Sequence, residues 1–543
     1  MNGTFGAKNM PGSYAGPCMN YRLGRGSARI FVALLCFLAP SALRAQAVQA
    51  WRGAITIPTY RLGQPDPDPA FSLTRAIDIY PYTMLDDLTD TRVPVTYRAI
   101  YLGNKYLKIT ILPQLGGHVY SVYDKIDRRE VLYRNHVIKY GLVGPRGAWI
   151  SGGMEFSFPY AHTMDTVSPV ESLLRHNPDG SATAVVGAVD WASGMHWEIA
   201  LTLRPDTARL QEDVTLFNPT PQQHLYLFWT NTAVKATNDL QYIYPMRETI
   251  SDDPFAIVQS WPVWKGVDRS WYRNVSSAMA IFGRDVHRNF FGVYYHQSDY
   301  GVVHVADYRQ DPGKKIWSWG TAPSGKVWDT ILSDEDGSYN EIQSGRFYTQ
   351  GYRELMQPHR VEQWTEYWYP VRGLRTGFVE ATSAMALNVL YPRDTSVTGR
   401  ALVEISPVQD ISDANLIVTE GRHILGRWHG IHLMPLQPAT WPLTLPNVQQ
   451  AKKDLSIEVR DASGDALLHW SEAEPLDGNR NFAPRAGTRL QTEIPDSPHT
   501  PTQALFLRGE FLEKAGDSQG AMKVYDEVLQ RDSSYIPTLG SVN

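Results

Sequence analysis

Tyr106-Leu107-Lys108-Ile109-Thr110-Ile111-Leu112, followed two residues later by Leu115-Gly116-Gly117-His118-Val119-Tyr120-Ser121-Val122-Tyr123-Asp124, is the stretch that decides the fold. Leu107, Ile109 and Ile111 fall on one side of an extended chain, and Lys108 and Thr110 on the other. The Gly116-Gly117 pair then lets the backbone turn sharply into a second apolar run. Strand, glycine turn, strand is the grammar of an antiparallel sheet.

That grammar continues to about Met385. Ala184–Asp190, His196–Leu203, Arg209–Phe217, His224–Ala233, Phe290–Tyr295 and Gly301–Ala306 all read as short strands between Gly, Pro, Asn and Asp punctuation. Almost no helical period intervenes, so residues 48–385 are predicted to form one large antiparallel sandwich. Trp51 to Pro94, rich in Pro and Asp, alternates poorly and reads as an irregular lead-in. Residues 386–475 carry a second strand set (Ala401–Ile405, Leu416–Thr419, Leu455–Val459, Ala466–Trp470) and predict a small immunoglobulin-like sandwich. Residues 476–501 read as a linker. Residues 502–543 switch to a helical period, with Leu505, Gly509, Leu512, Ala521 and Tyr525 spaced as in a tetratricopeptide-like repeat. One such pair cannot bury its own face, so the repeat is expected to pack on the sandwich, to pair with another chain as a protein partner, or to continue beyond Asn543.

Composition narrows the function. The 543 residues are 43% hydrophobic and 11% aromatic, with 16 Trp and 29 Tyr, more rings than cores usually need. A net charge of -5 without a basic stripe argues against nucleic acid. Arg22, Arg25 and Arg29 precede an apolar run from Ile30 to Leu43 and the small-residue site Ala45-Gln46-Ala47. Residues 1–47 are therefore expected to be a signal peptide, placing the protein in a periplasm or outside the cell. No membrane insertion is expected once the leader is cleaved. Cys18 and Cys36 both lie in that leader, so the mature chain would use neither disulfides nor thiols.

Ile111 to Asp124 followed by Arg129-Glu130-Val131-Leu132-Tyr133 resembles the opening of galactose-mutarotase-like domains. Ser151-Gly152-Gly153-Met154-Glu155-Phe156-Ser157-Phe158-Pro159 and Trp364–Pro370 resemble more narrowly an uncharacterised bacterial branch of that superfamily, often followed by tetratricopeptide repeats. The resemblance spans roughly residues 50–385. It implies a β-supersandwich and an oligo- or polysaccharide ligand, and it leaves the reaction open among epimerases, hydrolases, lyases, phosphorylases and non-catalytic binders.

Three carboxylates stand out. In Trp364-Thr365-Glu366-Tyr367-Trp368, alternation places Glu366 between two indoles on one face, an arrangement suited to a sugar. A strand with a buried aromatic face fits equally well. In Met154-Glu155-Phe156-Ser157-Phe158, Glu155 opposes the apolar residues, and His162 follows closely. In Tyr339-Asn340-Glu341-Ile342-Gln343, Glu341 and Gln343 share a face. A glycoside hydrolase using two of Glu155, Glu341 and Glu366 is the leading expectation, with Glu366 as the acid. A carbohydrate-binding scaffold and an aldose epimerase are the alternatives. Trp364, Trp368, Trp317, Trp319, Gln343, His162, Trp229, Asn231 and His304 are the expected substrate contacts. Trp261 and Trp264 read as a loop over the cleft. No histidine-rich metal motif is present. No cofactor is expected, with calcium at the acidic turn Asp334-Glu335-Asp336-Gly337 the one ion considered, although that turn lacks a full set of ligand spacings.

Overall fold

The computed structural model describes residues 47–67, 79–251, 257–392, 399–476, 501–514 and 518–535. Residues 1–46, with both cysteines, and residues 477–500, the expected signal peptide and linker, lie outside these described residues. Among the described residues the chain is mainly β. A 12-stranded antiparallel sheet and an 8-stranded one form the large sandwich. The centre of the larger sheet runs Met154–Ser157, Trp229–Lys235, Tyr339–Gly345, Gly313–Ser318, neighbour by neighbour. The centre of the smaller runs Tyr300–Ala306, Val361–Arg372, Leu210–Phe217, His196–Leu203. Their facing sides share one apolar core that includes Phe156, Phe228, Trp197, Ile199, Val214, Phe291 and Trp368.

Gln49–Leu62 and Leu88–Gly103 pair over most of their length, so the segment expected to be irregular is a long two-stranded extension of the larger sheet. Both strands expose much of both faces there. One side meets a small core through Ile57, Tyr97, Ala99 and Tyr101, and elsewhere pairing rests on the backbone ladder and on contacts such as Thr56 to Thr96 at 2.8 Å. A second departure is the helix Pro323–Leu332. Pro323 takes the first helical position, where its missing N–H costs nothing, and ten residues are too few to show a clear period.

A separate core lies between two 4-stranded sheets that begin with Glu380–Ala381 and end with Ala466–Ser471. Helices Pro501–Lys514 and Ser518–Arg531 pack through Leu505, Leu512, Ala521 and Tyr525. Gly509 is required at their crossing, since a Cβ there would sit 2.2 Å from the Tyr525 ring. Among the described residues no helix is long and apolar enough to cross a membrane.

Two glycines set the floor of the larger sheet's outer face. The Trp229 ring lies across Gly345 and Gly313 and meets Phe282 edge-on at 5.6 Å between centroids. A Cβ on Gly345 would fall 2.4 Å from that ring. Gly345→Ala is expected to lower the unfolding free energy by about 1–3 kcal/mol, read by denaturant titration.

Candidate functional site

Each central strand of the larger sheet carries different chemistry on its two faces. Thr230 and Ser344 point inward, donating to Glu212 and Glu366 of the opposite sheet at 2.7 and 2.5 Å. Asn231, Glu341, Gln343 and Lys315 therefore point outward. Asn231 pairs with Glu155 on one side and Gln343 on the other, and Gln343 pairs with Lys315. One outward row is thus Glu155, Asn231, Gln343, Lys315, and the next holds Glu341 beside Trp317.

Glu155 is positioned by the two glycines before it. Gly153 has a φ of 59°, and a Cβ there would strike the Val119 carbonyl oxygen at 2.1 Å. Met154, Phe156 and Phe158 enter the core, which turns Glu155 the other way. Its carboxylate accepts from Trp149 Nε1 at 2.9 Å, His162 Nδ1 at 2.8 Å and Thr166 Oγ1 at 2.7 Å. Burial alone would raise its pKa. The His162 charge and these donors outweigh burial and hold it below the ordinary value. Burial likewise works against a charged His162, but the Glu155 charge and hydrogen bond, with Glu341 beyond, hold it above the ordinary histidine value. His162 packs on Trp149 with centroids 5.0 Å apart, and its side chain is 22% exposed.

Glu341 is held differently. Lys315 donates to Gln350, Gln350 donates to Gln343 at 2.8 Å, and Gln343 donates to Glu341 Oε2 at 2.7 Å. Burial raises the Glu341 pKa, and the charges of His162 and Lys315 only partly offset this. The face therefore holds a carboxylate saturated by donors, an imidazole inclined to stay protonated, and a second carboxyl inclined to hold its proton longer than usual. Asn231 Oδ1 finds no partner among the described residues and faces the same space.

The structure brings together Glu155, Glu341, His162, Gln343, Asn231 and Trp317. It places the other expected residues elsewhere. Trp364, Glu366 and Trp368 do share one face, but that face looks into the sandwich, at 5%, 0% and 2% exposure. Glu366 there meets His304 at 2.9 Å and Trp364 Nε1 at 2.9 Å, so neither Glu366, His304 nor the two tryptophans can meet a sugar. Trp229 is floor rather than stacking surface. Trp319 lies past its strand's end, where it meets Trp317 edge-on at 5.0 Å between centroids and stacks on Trp328 at 4.1 Å. Trp261 is buried against Tyr244, and Trp264 sits in the small hairpin formed with Val267–Asp268. The acidic turn is occupied by basic side chains of the chain itself. Asp334 meets Arg92 at 2.7 Å and Lys139 at 3.1 Å, and Asp336 meets His136 at 2.6 Å.

Several site residues were missed. Lys315 was visible as a lysine within an apolar strand, beside a second lysine that must take the opposite face. Trp149, Thr166 and Gln350 come from loops and a short strand, where spacing carries no facing information. A recess of about 1210 Å³ lies elsewhere, lined by residues such as Tyr367, Tyr308 and His469. Arg288 binds both of its glutamates, Glu380 and Glu474, at 2.9 and 3.0 Å, and Asp213, Asp307 and His287 line it as well.

The His162–Glu155 pair makes stability depend on pH. Its histidine contribution is complete below the ordinary value of 6.5 and fades as pH rises through the raised one. Its glutamate contribution is complete above the ordinary value of 4.5 and fades as pH falls through the lowered one. The stability deficit of His162→Gln against wild type is expected to be largest between these two values and to shrink above neutrality, measured by urea unfolding at stepped pH.

The comparisons with known proteins agree with this architecture. A TPR-domain containing protein from Parabacteroides distasonis is 29% identical, with a TM-score of 0.56 over 64% of this chain and 59% of that one. The chain thus spans about three-fifths of that relative's length. A galactose mutarotase-like protein from Clostridium acetobutylicum aligns at 10% identity and a TM-score of 0.38, covering 51% of this chain and 96% of that one. A putative aldose 1-epimerase from Klebsiella pneumoniae aligns at 11% identity and 0.39, covering 60% and 91%. Residues 75–371, more than half of the chain, match the family described as a domain of unknown function (DUF5107), and the protein belongs to that family.

Proposed function

We propose that this protein acts on carbohydrate by acid–base chemistry at the outward face, with His162 as the acid and Glu341 as the base. The observation that carries the reading is His162, bonded to Glu155 at 2.8 Å and held above the ordinary histidine value by that partner against its burial, on the same face as Glu341. Glu155 is a positioning residue in this scheme. Its oxygens are taken by Trp149, His162 and Thr166, so it orients and charges the imidazole rather than moving a proton. Trp317 offers a ring for a C–H face, and Asn231, Gln343 and Lys315 suit hydroxyls.

Opening and closing an aldose ring uses this pair directly. Glu341 as carboxylate takes the proton of the anomeric hydroxyl, the bond from the anomeric carbon to the ring oxygen breaks, and His162 delivers a proton to that oxygen. Rotation of the new carbonyl and reversal of the steps gives the other anomer. Glycoside hydrolysis is the second reading, supported by two glutamates on one face, but it would ask Glu155 to release one of its donors. The arginine-rich leader supports work outside the cytoplasm, and the helical pair at the C-terminal end supports a protein partner.

Polarimetry of freshly dissolved aldoses, run beside a reducing-sugar assay on oligosaccharides, separates these readings. Accelerated mutarotation is expected, with His162→Gln and Glu341→Gln each lowering the rate by about 10²–10⁴-fold. Release of reducing ends instead would move the assignment to hydrolysis. Glycan binding without turnover would leave a binding protein and remove the acid–base scheme.

A further inference from the structure

The interior of the large sandwich holds a second polar cluster, on the far side of the sheet from His162 and Glu341. His304, Asp311 and Glu366 are all at 0% exposure, and one ligand atom from each lies within 4.8 Å of the others. His304 Nε2 is 2.9 Å from Glu366 Oε2 and 3.8 Å from Asp311 Oδ2. Glu212 and Lys314 are buried with them.

The neighbours divide into satisfied and unsatisfied groups. Glu212 accepts from Thr230 and from Trp368 Nε1 at 3.0 Å. Glu366 accepts from Trp364, Ser344 and His304. Neither oxygen of Asp311 finds a hydrogen-bond partner among the described residues. A fully buried carboxylate without donors is among the costliest groups a core can hold. The Lys314 ammonium is buried beside the carboxyls of Glu212, Asp311 and Glu366. A divalent cation would supply the missing partner. His304 Nδ1 also lacks a partner, but it would do so with or without a cation, and so does not bear on the choice.

We propose that His304, Asp311 and Glu366 form a structural site for a divalent transition-metal cation such as Zn²⁺. One imidazole and two carboxylates are a ligand set that zinc accepts. The site is sealed between the sheets, so the cation is taken up as the chain folds and its binding free energy becomes folding free energy. Trp364 and Ser344 hold the Glu366 carboxylate in place from the sides. This site is independent of the carbohydrate reading, since it faces away from the outward residues His162 and Glu341 and its test does not measure turnover.

The experiment uses the full chain expressed in zinc-supplemented medium and dialysed natively against EDTA. Elemental analysis is expected to find about one Zn²⁺ per chain, retained because folding seals it. After unfolding in guanidinium, refolding with Zn²⁺ should give a melting temperature several degrees above refolding with EDTA. Asp311→Asn should lose the metal while keeping the circular-dichroism spectrum of the native chain. Substoichiometric metal in the native wild type, together with equal melting temperatures after the two refolding routes, overturns the proposal. Metal retained by a folded Asp311→Asn overturns the ligand assignment. If that variant does not fold, the wild-type stoichiometry and refolding comparison decide alone.

Discussion

A strand shows its side chains alternately to two faces, and most of this molecule's chemistry follows from that constraint acting on four adjacent strands. In Gly313–Ser318 it sends Lys314 into the sandwich and Lys315 out. In Tyr339–Gly345 it sends Ser344 inward to Glu366 while Glu341 and Gln343 face outward. In Trp229–Lys235 it sends Thr230 to Glu212 and leaves Asn231 on the other side. The same backbone ladder thus supports one buried polar cluster between the sheets and a second on the outer face, where the His162 side chain is 22% exposed.

The two faces meet different physical demands. Inward groups have no water, so each must find a partner within the protein. The indole N–H groups of Trp364 and Trp368 meet that need for Glu366 and Glu212. Outward groups are themselves mostly buried, with the His162 side chain 22% exposed, and here burial and charge act against one another. Glu155 is outweighed by donors and a cation, Glu341 by burial, and the imidazole between them takes the proton. Three neighbouring groups are thereby driven to different protonation behaviour by environment alone.

The fold was largely legible, because strands that pack on a core alternate clearly and glycines mark their turns. The regions that escaped were those with only a small core beneath them, such as Gln49–Leu62, and the short helix Pro323–Leu332. At the site, alternation grouped residues on shared faces correctly, as for Glu341 with Gln343 and for Glu366 with its tryptophans. It could not say which face looks inward, because a strand read alone carries no label for inside. Glu212 shows a signal that was available. It stands in phase with Leu210, Val214 and Leu216, all buried, so a carboxylate in that phase had to be interior. The indoles flanking Glu366 carry the same message when read as core rather than as a platform. Loop-borne partners such as Thr166 and Gln350 had no such signal, since only the folded chain brings them near.

Lys314 and Lys315 are separated by one peptide unit, yet they serve opposite sides of the sheet. Gaining or losing a single residue within Gly313–Ser318 would exchange their destinations, drive the Trp317 indole toward the core and push Ile316 outward. Length variation among relatives must therefore be absorbed in the connecting segments, while these central strands keep a fixed residue count even where their side chains diverge.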